Sequence, residues 1–315
     1  MTPVIRLDRV SKRFGHVQAL DQVSLSVSPG SVCALLGANG AGKSTALKIL
    51  LGLEQPDSGA AEILGMSSRT HGLEIRQRVG YVAERPSLYE WMRVDEIGWF
   101  AAGFYPSGFQ HTYEQYTQRF GLDGRQKIKG LSKGMKAKVA LALSLAHRPD
   151  LLILDEPTSG LDPLVRREFL ESMVDIAAEG RTVLLSSHQV AEVERVADTV
   201  AILLNGKLVC VERLEDLKQT AREVVVMLPD LRTNCPELPA QVLGQTRFGH
   251  EQIIVVRNLD EERLASVLAP TGYAYEVRHP SLEDILLTLL REARTRPEEN
   301  GAGSVKLTSA TAEGR

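Results

Sequence analysis

The first 36 residues hold three stretches in which apolar and polar positions alternate or apolar residues run together: "VIRLDRV", "VSLSVS" and "VCALLG". These patterns predict strands. "SPGS" between the second and third has turn composition. After the glycine-rich residues 37–42, "KSTALKILLGL" changes period, with Ala46, Leu47, Ile49 and Leu50 at helical spacing. "VGYVA" (79–83) predicts a short strand. "LLILDE" (151–156) is a continuous apolar run ending in two acids, the pattern of a central parallel strand. A helix over 163–179, strand "TVLLSS" (182–187), a helix over 189–196 and strand "VAILL" (200–204) follow. Alternating strands and helices predict an α/β fold around a parallel sheet. "LLNGKLV" predicts a hairpin with Asn205-Gly206 as its two-residue turn.

Two regions depart from this rhythm. From about 86 to 130 aromatics accumulate and helical periodicity is broken by Pro106 and Gly108, which predicts an inserted helical subdomain reaching about 147. After a helix near 213–219, "EVVVML", "QIIVVR", "DEERLASVLA", "YAYEVR" and "SLEDILLTLLRE" predict strand, strand, helix, strand, helix. The expected organisation is a domain over 1–220, a small α+β domain over 221–293 and a disordered polar tail over 294–315.

Composition narrows the function. The 315 residues suffice for two domains, and 43% hydrophobic with 24% charged residues is ordinary for a soluble globular protein. A net charge of −3 argues against bulk nucleic-acid binding and against a polybasic membrane anchor. Cys33, Cys210 and Cys235 have neither paired nor metal-ligand spacing and are expected to be reduced thiols. No run approaches about 18 consecutive apolar residues, so a membrane role is expected to come through a partner.

"GANGAGKS" (37–44) matches G-x-x-x-x-G-K-[ST] between an apolar strand and a helix. Gly40 and Gly42 let the backbone wrap around phosphates, and the loop and helix N–H groups bind oxyanions. Lys43 is expected at the β- and γ-phosphates and Ser44 at Mg²⁺. Asp155, ending "LLILD", is expected to hold the same ion through water, and Glu156 to orient or deprotonate the attacking water. The competing reading of the two acids is a cap on the following turn.

"LSKGMKAK" (131–138) is odd for a helix start. Ser132 is a good cap. Gly134 weakens the first turn, however, and Lys133, Lys136 and Lys138 crowd the positive end of the dipole. Either this end faces an anion or it is a solvated surface turn.

Taken in order, "GANGAGKST", "LSKGM", "LLILDEPTSGLD" and "SSH" (186–188) resemble the ATPase subunit of ATP-binding cassette (ABC) transporters over residues 4–220. "LSKGMK" is similar to a bacterial branch of exporters. The resemblance implies a P-loop ABC ATPase core with an antiparallel β subdomain and an inserted helical subdomain, ATP as substrate and Mg²⁺ as cofactor. It places Gly37, Asn39, Gly40, Ala41, Gly42, Lys43, Ser44 and Thr45 on the phosphates, and Phe14 on the adenine. Two subunits, here expected to be a homodimer, sandwich the nucleotides. Ser132 and Gly134 of one face the γ-phosphate held by the other, and Asp162 of "SGLD" crosses the interface. His188 is implied as the switch residue at the γ-phosphate, and Glu84 stands where a glutamine usually senses the metal. Lys133 and Met135 also depart from the usual L-S-G-G-Q signature. The aromatic insert is where such subunits receive a separately encoded polytopic permease, with the ATPase peripheral at the cytoplasmic face of the cell membrane. The alternatives are a soluble ABC-type ATPase acting on ribosomes or DNA, which the single compact cassette and lack of a basic cluster disfavour, and a chain that binds ATP without hydrolysing it, which Glu156 and His188 disfavour.

Overall fold

The computed structural model describes residues 2–295. Strands β1 (Ile5–Phe14) and β2 (Val17–Val27) form a hairpin in which Ile5 pairs with Val27 and Phe14 with Val17. Its alternation buries Ile5, Leu7, Val10, Leu20, Val23, Leu25 and Val27 on one face. β3 (Val32–Leu36) leads through the glycine loop into α1 (Lys43–Leu50). β4 (Ser58–Ile63) and β5 (Met66–Ser67) complete a four-stranded antiparallel sheet in the order β2-β1-β4-β5. No element is predicted for residues 54–78. The "SGAAEI" of β4 has weak strand preference and exists through pairing with β1.

The central sheet takes in β6 (Val79–Val82), which follows α2 (Gly72–Arg78), then β7 (Leu151–Asp155), β8 (Thr182–Ser187), β9 (Thr199–Leu204) and β10 (Lys207–Arg213). Its order is β10-β9-β3-β8-β7-β6. All pairs are parallel except β9–β10. β3, β7 and β8 are buried along their whole length, as their continuous apolar runs require. Asn205 (φ 48°) and Gly206 (φ 78°) make the expected tight turn between β9 and β10.

Between β6 and β7, α3 (Val94–Ala102), α4 (Phe109–Arg119) and α5 (Lys133–Leu145) pack around Val94, Ile97, Phe109, Tyr113 and Ile128. The Tyr113 hydroxyl donates to the Val94 carbonyl at 2.7 Å. Trp91, Trp99 and Phe104 remain exposed. α6 (Pro163–Ala178) and α7 (Val190–Val196) flank the central sheet beyond β7 and β8.

After α8 (Leu214–Thr220) comes a third sheet, ordered β12-β13-β11-β14 and wholly antiparallel: β11 (Ala221–Met227), β12 (Gln241–Phe248), β13 (Glu251–Arg257) and β14 (Tyr275–Arg278). β12 goes unpredicted because a bulge between Val242 and Gly244 breaks its alternation. α9 (Glu261–Leu268) covers one face through Leu264 and Leu268. α10 (Leu282–Thr295) covers the other and extends one core into the cassette: Leu282, Ile285 and Leu286 gather with Val255, Val193, Ile202 and Leu36. Each such buried side chain contributes about 1.5–3 kcal/mol. Arg294 and Thr295, expected in the tail, belong to α10; the rest of the expected tail, 296–315, lies outside the described residues.

Candidate nucleotide site at the ends of the parallel strands

The loop after β3 is shaped by its glycines. Gly42 has φ 105°, and a Cβ there would come within 2.2 Å of the Ala19 carbonyl. No side chain caps α1 and its first turn carries no acid, so its leading N–H groups suit an external anion. Lys43, 5% exposed, donates to the carbonyls of Gly37 (2.6 Å) and Ala38 (3.1 Å). Its ammonium lies 3.0 Å from Glu156 Oε1, an oxygen with no directed hydrogen bond of its own.

Asp155 is buried at the end of β7. Its Oδ1 accepts from Ser44 Oγ at 3.1 Å and from Ser186 Oγ at 2.7 Å. Glu156 follows with φ 46°, a left-handed conformation that costs a non-glycine residue on the order of 1–3 kcal/mol. Its N–H is held by the Ser186 carbonyl (3.2 Å) and hydroxyl (2.9 Å). The turn swings the carboxylate toward β8, where Glu156 Oε2 lies 2.7 Å from His188 Nδ1. Lys43, Ser44, Asp155, Glu156 and His188 therefore form one hydrogen-bonded and ion-paired group at the C-terminal ends of three parallel strands, where open α/β sheets bind ligands.

Mg²⁺ prefers oxygen donors and commonly takes one or two protein groups plus substrate phosphates. Ser44 Oγ and the Asp155 carboxylate fit that donor set. Among the described residues no three His, Cys, Asp or Glu side chains gather into a metal cage, so protein oxygens alone would leave most of the ion's coordination to phosphate and water.

Ser132, Gly134 and Asp162 form a second group, where the N-termini of α5 and α6 adjoin. Ser132 caps α5 by accepting from Met135 N–H at 3.2 Å, and its own hydroxyl proton stays available to donate. Asp162 caps α6 by accepting from Val165 N–H at 3.0 Å. A Cβ on Gly134 would lie 2.5 Å from Val165, so glycine here permits close contact between the two helices. Lys136 and Lys138 pair with Glu90 (2.6 Å) and Glu168 (2.7 Å), which relieves part of the cationic misfit at this helix end. Lys133 instead lies over Gly160, whose missing Cβ would be 2.5 Å from its Nζ. Met135 packs on the core of the helical insert. No hydrogen bond joins this group directly to Lys43, Asp155 or Glu156 among the described residues.

Phe14 is exposed at the end of β1, with the Lys12 ammonium 5.1 Å from its ring centroid. Glu84 is exposed two residues beyond β6, whose last residue, Val82, pairs with Leu154 of the strand that carries Asp155. Gly37, Asn39, Gly40, Ala41 and Thr45 line the loop and its helix as the motif expects, with Asn39 and Gly40 exposed. Burial pushes the Cys33 thiol up to about 12 and the Cys210 thiol up to about 11, which suits inert interior residues. Thr158, Ser186 and Ser187 lie within the quoted motifs, but the sequence assigns them no role of their own, and Arg166 and Glu192 lie outside those motifs. The consecutive serines closing an otherwise apolar strand were the one available signal.

The family model described as ABC transporter matches residues 20–159. The chain is 38% identical over 220 residues to the probable multidrug ABC transporter ATP-binding protein YbhF of Escherichia coli (strain K12), covering 68% of this chain but only 38% of that relative's length. It is 31% identical over 312 residues to the Nod factor export ATP-binding protein I of Ralstonia nicotianae, covering 93% of this chain and 96% of that one. A solved ATP-binding subunit of an ABC transporter superposes with a TM-score of 0.63 at 33% identity, over 69% of this chain and 92% of that chain. With the cassette fold and motif order already in place, this chain belongs to the family of ABC transporter ATP-binding proteins.

Proposed function

We propose that the chain is an ATP-hydrolysing nucleotide-binding subunit that energises a membrane ABC transporter, as an exporter, through ATP-driven pairing with a second copy of itself. The observation that carries the reading is the buried contact of Lys43 with Glu156 and the contact of Glu156 with the solvent-facing His188, beside Ser44 and Asp155. In this arrangement the ammonium and the free N–H groups of α1 receive the phosphates, and Lys43 exchanges Glu156 for phosphate oxygen. Glu156, released from Lys43 and still held by His188, is then placed to orient and deprotonate water. Ser44 and Asp155 would hold Mg²⁺, which supplies charge neutralisation on the β- and γ-phosphates. Phe14 stacks on adenine, and Ser132, Gly134 and Asp162 meet the partner copy's nucleotide.

Residues 1–220 are taken as the nucleotide-binding domain, with the helical subdomain over about 86–147, and 221–293 as the C-terminal domain. Exposed Trp91, Trp99 and Phe104 support docking of a separately encoded polytopic permease on the helical insert. The proposed place is peripheral, at the cytoplasmic face of the cell membrane, where such a permease would be met; among the described residues no helix is long and apolar enough to cross a membrane. Export is favoured because the relative matched over nearly its full length is named for Nod factor export.

The test is affinity purification of tagged Glu156→Gln chain with ATP from detergent-solubilised host membranes, alongside phosphate release by the unmodified chain. A stoichiometric polytopic membrane protein and ATP turnover are expected. Recovery with ribosomal or DNA-bound proteins only would move the reading to a soluble ABC-type ATPase.

A further inference from the structure

Glu192 is one of the most buried carboxylates in the molecule, 3% exposed on α7, and the site described above makes no use of it. Removing a charge from water is costly unless hydrogen bonds and opposite charge compensate. Here they do. Oε1 accepts from Thr158 Oγ1 at 2.7 Å and Oε2 from Ser187 Oγ at 2.6 Å. The Arg166 guanidinium stands 3.5 Å away. The contacts close into a ring. Ser187 Oγ accepts from Gln189 N–H at 3.0 Å, and Gln189 Oε1 accepts from Arg166 Nη1 at 2.6 Å. Arg166 Nη2 also donates to the Leu161 carbonyl at 3.2 Å.

The members of this ring bracket the reactive groups without being them. Ser187 and Gln189 are the two neighbours of His188. Thr158 is two residues past Glu156, whose backbone is held left-handed. Leu161 precedes Asp162. A single buried carboxylate thus ties the turn carrying His188 to the loop 157–162 that leaves Glu156 and leads to α6.

We propose that Glu192 is a positioning residue that sets His188 against Glu156 and couples that contact to the 157–162 loop through Thr158 and Arg166. The inference rests on the hydrolysis reading above. Displacement of the loop by a second subunit would pull on Thr158 and Leu161, and the ring would pass that movement to Ser187 and so to His188. An apolar side chain of similar size would fill the same space, so a purely space-filling role does not account for a buried charge with three polar partners.

The test compares Glu192→Gln, Thr158→Val and the double variant with the unmodified chain in kcat, ATP affinity without Mg²⁺, and thermal midpoint. Small misplacements of catalytic groups cost up to on the order of 10²-fold, so each single variant is expected to lose at least about tenfold in kcat, with ATP affinity kept within about twofold. The double variant is expected to lose no more than the worse single one, because both break one linkage. A shifted thermal midpoint with kcat kept within about twofold would mark an ordinary structural anchor and overturn the proposal. Additive losses would overturn the coupling. Should Glu192→Gln not fold, Thr158→Val carries the test, since it leaves the pairing of Glu192 with Arg166 in place. An unmodified chain that does not hydrolyse ATP overturns the hydrolysis reading itself, whereas an active chain with unaffected variants overturns this inference alone.

Discussion

The central parallel sheet and the C-terminal antiparallel sheet are both clothed in helices and both bury apolar faces, yet they treat polar groups differently. At its carboxyl ends the parallel sheet buries Lys43, Asp155, Glu156, Ser186, Ser187 and Glu192, with a left-handed backbone at Glu156. The strands of the C-terminal sheet bury Gln252 and Arg257, each with local partners: Gln252 joins Cys235 N–H and Gln245, and Arg257 forms a two-pronged pair with Glu212 of β10. One sheet gathers its polar groups at the open end beside the glycine loop, and the other uses them to fasten a domain. Left-handed non-glycine backbone occurs in both, at Glu156 after β7 and at Asn258 after β13, but a buried carboxylate oxygen without a hydrogen bond, Glu156 Oε1, marks only the first among the described residues.

Perturbing each sheet sharpens the contrast. Lys43→Ala should abolish ATP binding, read as loss of heat in calorimetric titration; retained tight binding would refute the phosphate role of the loop. Glu156→Gln should keep ATP binding while lowering turnover by about 10²–10⁴-fold, the range for general acid–base groups, measured by phosphate release. In the other sheet, Arg257→Ala leaves the partly buried Glu212 without its partner and should cost about 1–3 kcal/mol in denaturant unfolding, with nucleotide affinity unaltered in the folded protein. Gly134→Ala drives a methyl group into Val165 and should cost about 1–3 kcal/mol, an overpacking effect visible as a lowered thermal midpoint.

The smallest effect lies away from both sheets' polar ends. His147 stacks on Tyr105 at 4.7 Å, and burial holds its imidazole below the ordinary value of 6.5, outweighing a backbone contact at Val79 that favours the charged form. The unfolded chain therefore takes up this proton at higher pH than the folded one. This share of stability is present above about pH 6.5 and is lost as pH falls through the lowered folded value. His147→Phe should flatten the dependence of the urea midpoint between about pH 7.5 and 5.5; an unchanged slope would assign it to other groups.

Much of the cassette was legible because its signals are local. "LLILD" and "TVLLSS" are buried on both faces, so apolar continuity alone marks them as central strands. The loop 37–44 declares itself through glycine spacing, and Asn205-Gly206 through its turn chemistry. β4, β5 and β12 were not legible, because glycine, alanine or a bulge erases the alternation and the partner strand supplies the stability. Within the site, Lys43, Asp155 and Glu156 follow from type and position. Ser186, Thr158 and Glu192 do not, since a serine, threonine or glutamate is unremarkable until folding brings strand, loop and helix ends together.

The amino-acid order by itself determined which segments become strands and helices of the central sheet, and which residue types stand at its carboxyl ends. Period and composition are read over a few neighbours, so no tertiary contact is needed to see them. Only the tertiary structure decided that Glu156 reaches both Lys43 and His188, and that Val165 occupies the space beside Gly134. It also decided that α10 joins the C-terminal sheet to the cassette in one core. Those outcomes depend on contacts between residues more than 30 and often more than 100 positions apart, chosen by packing and burial of the whole chain and carried by no local pattern.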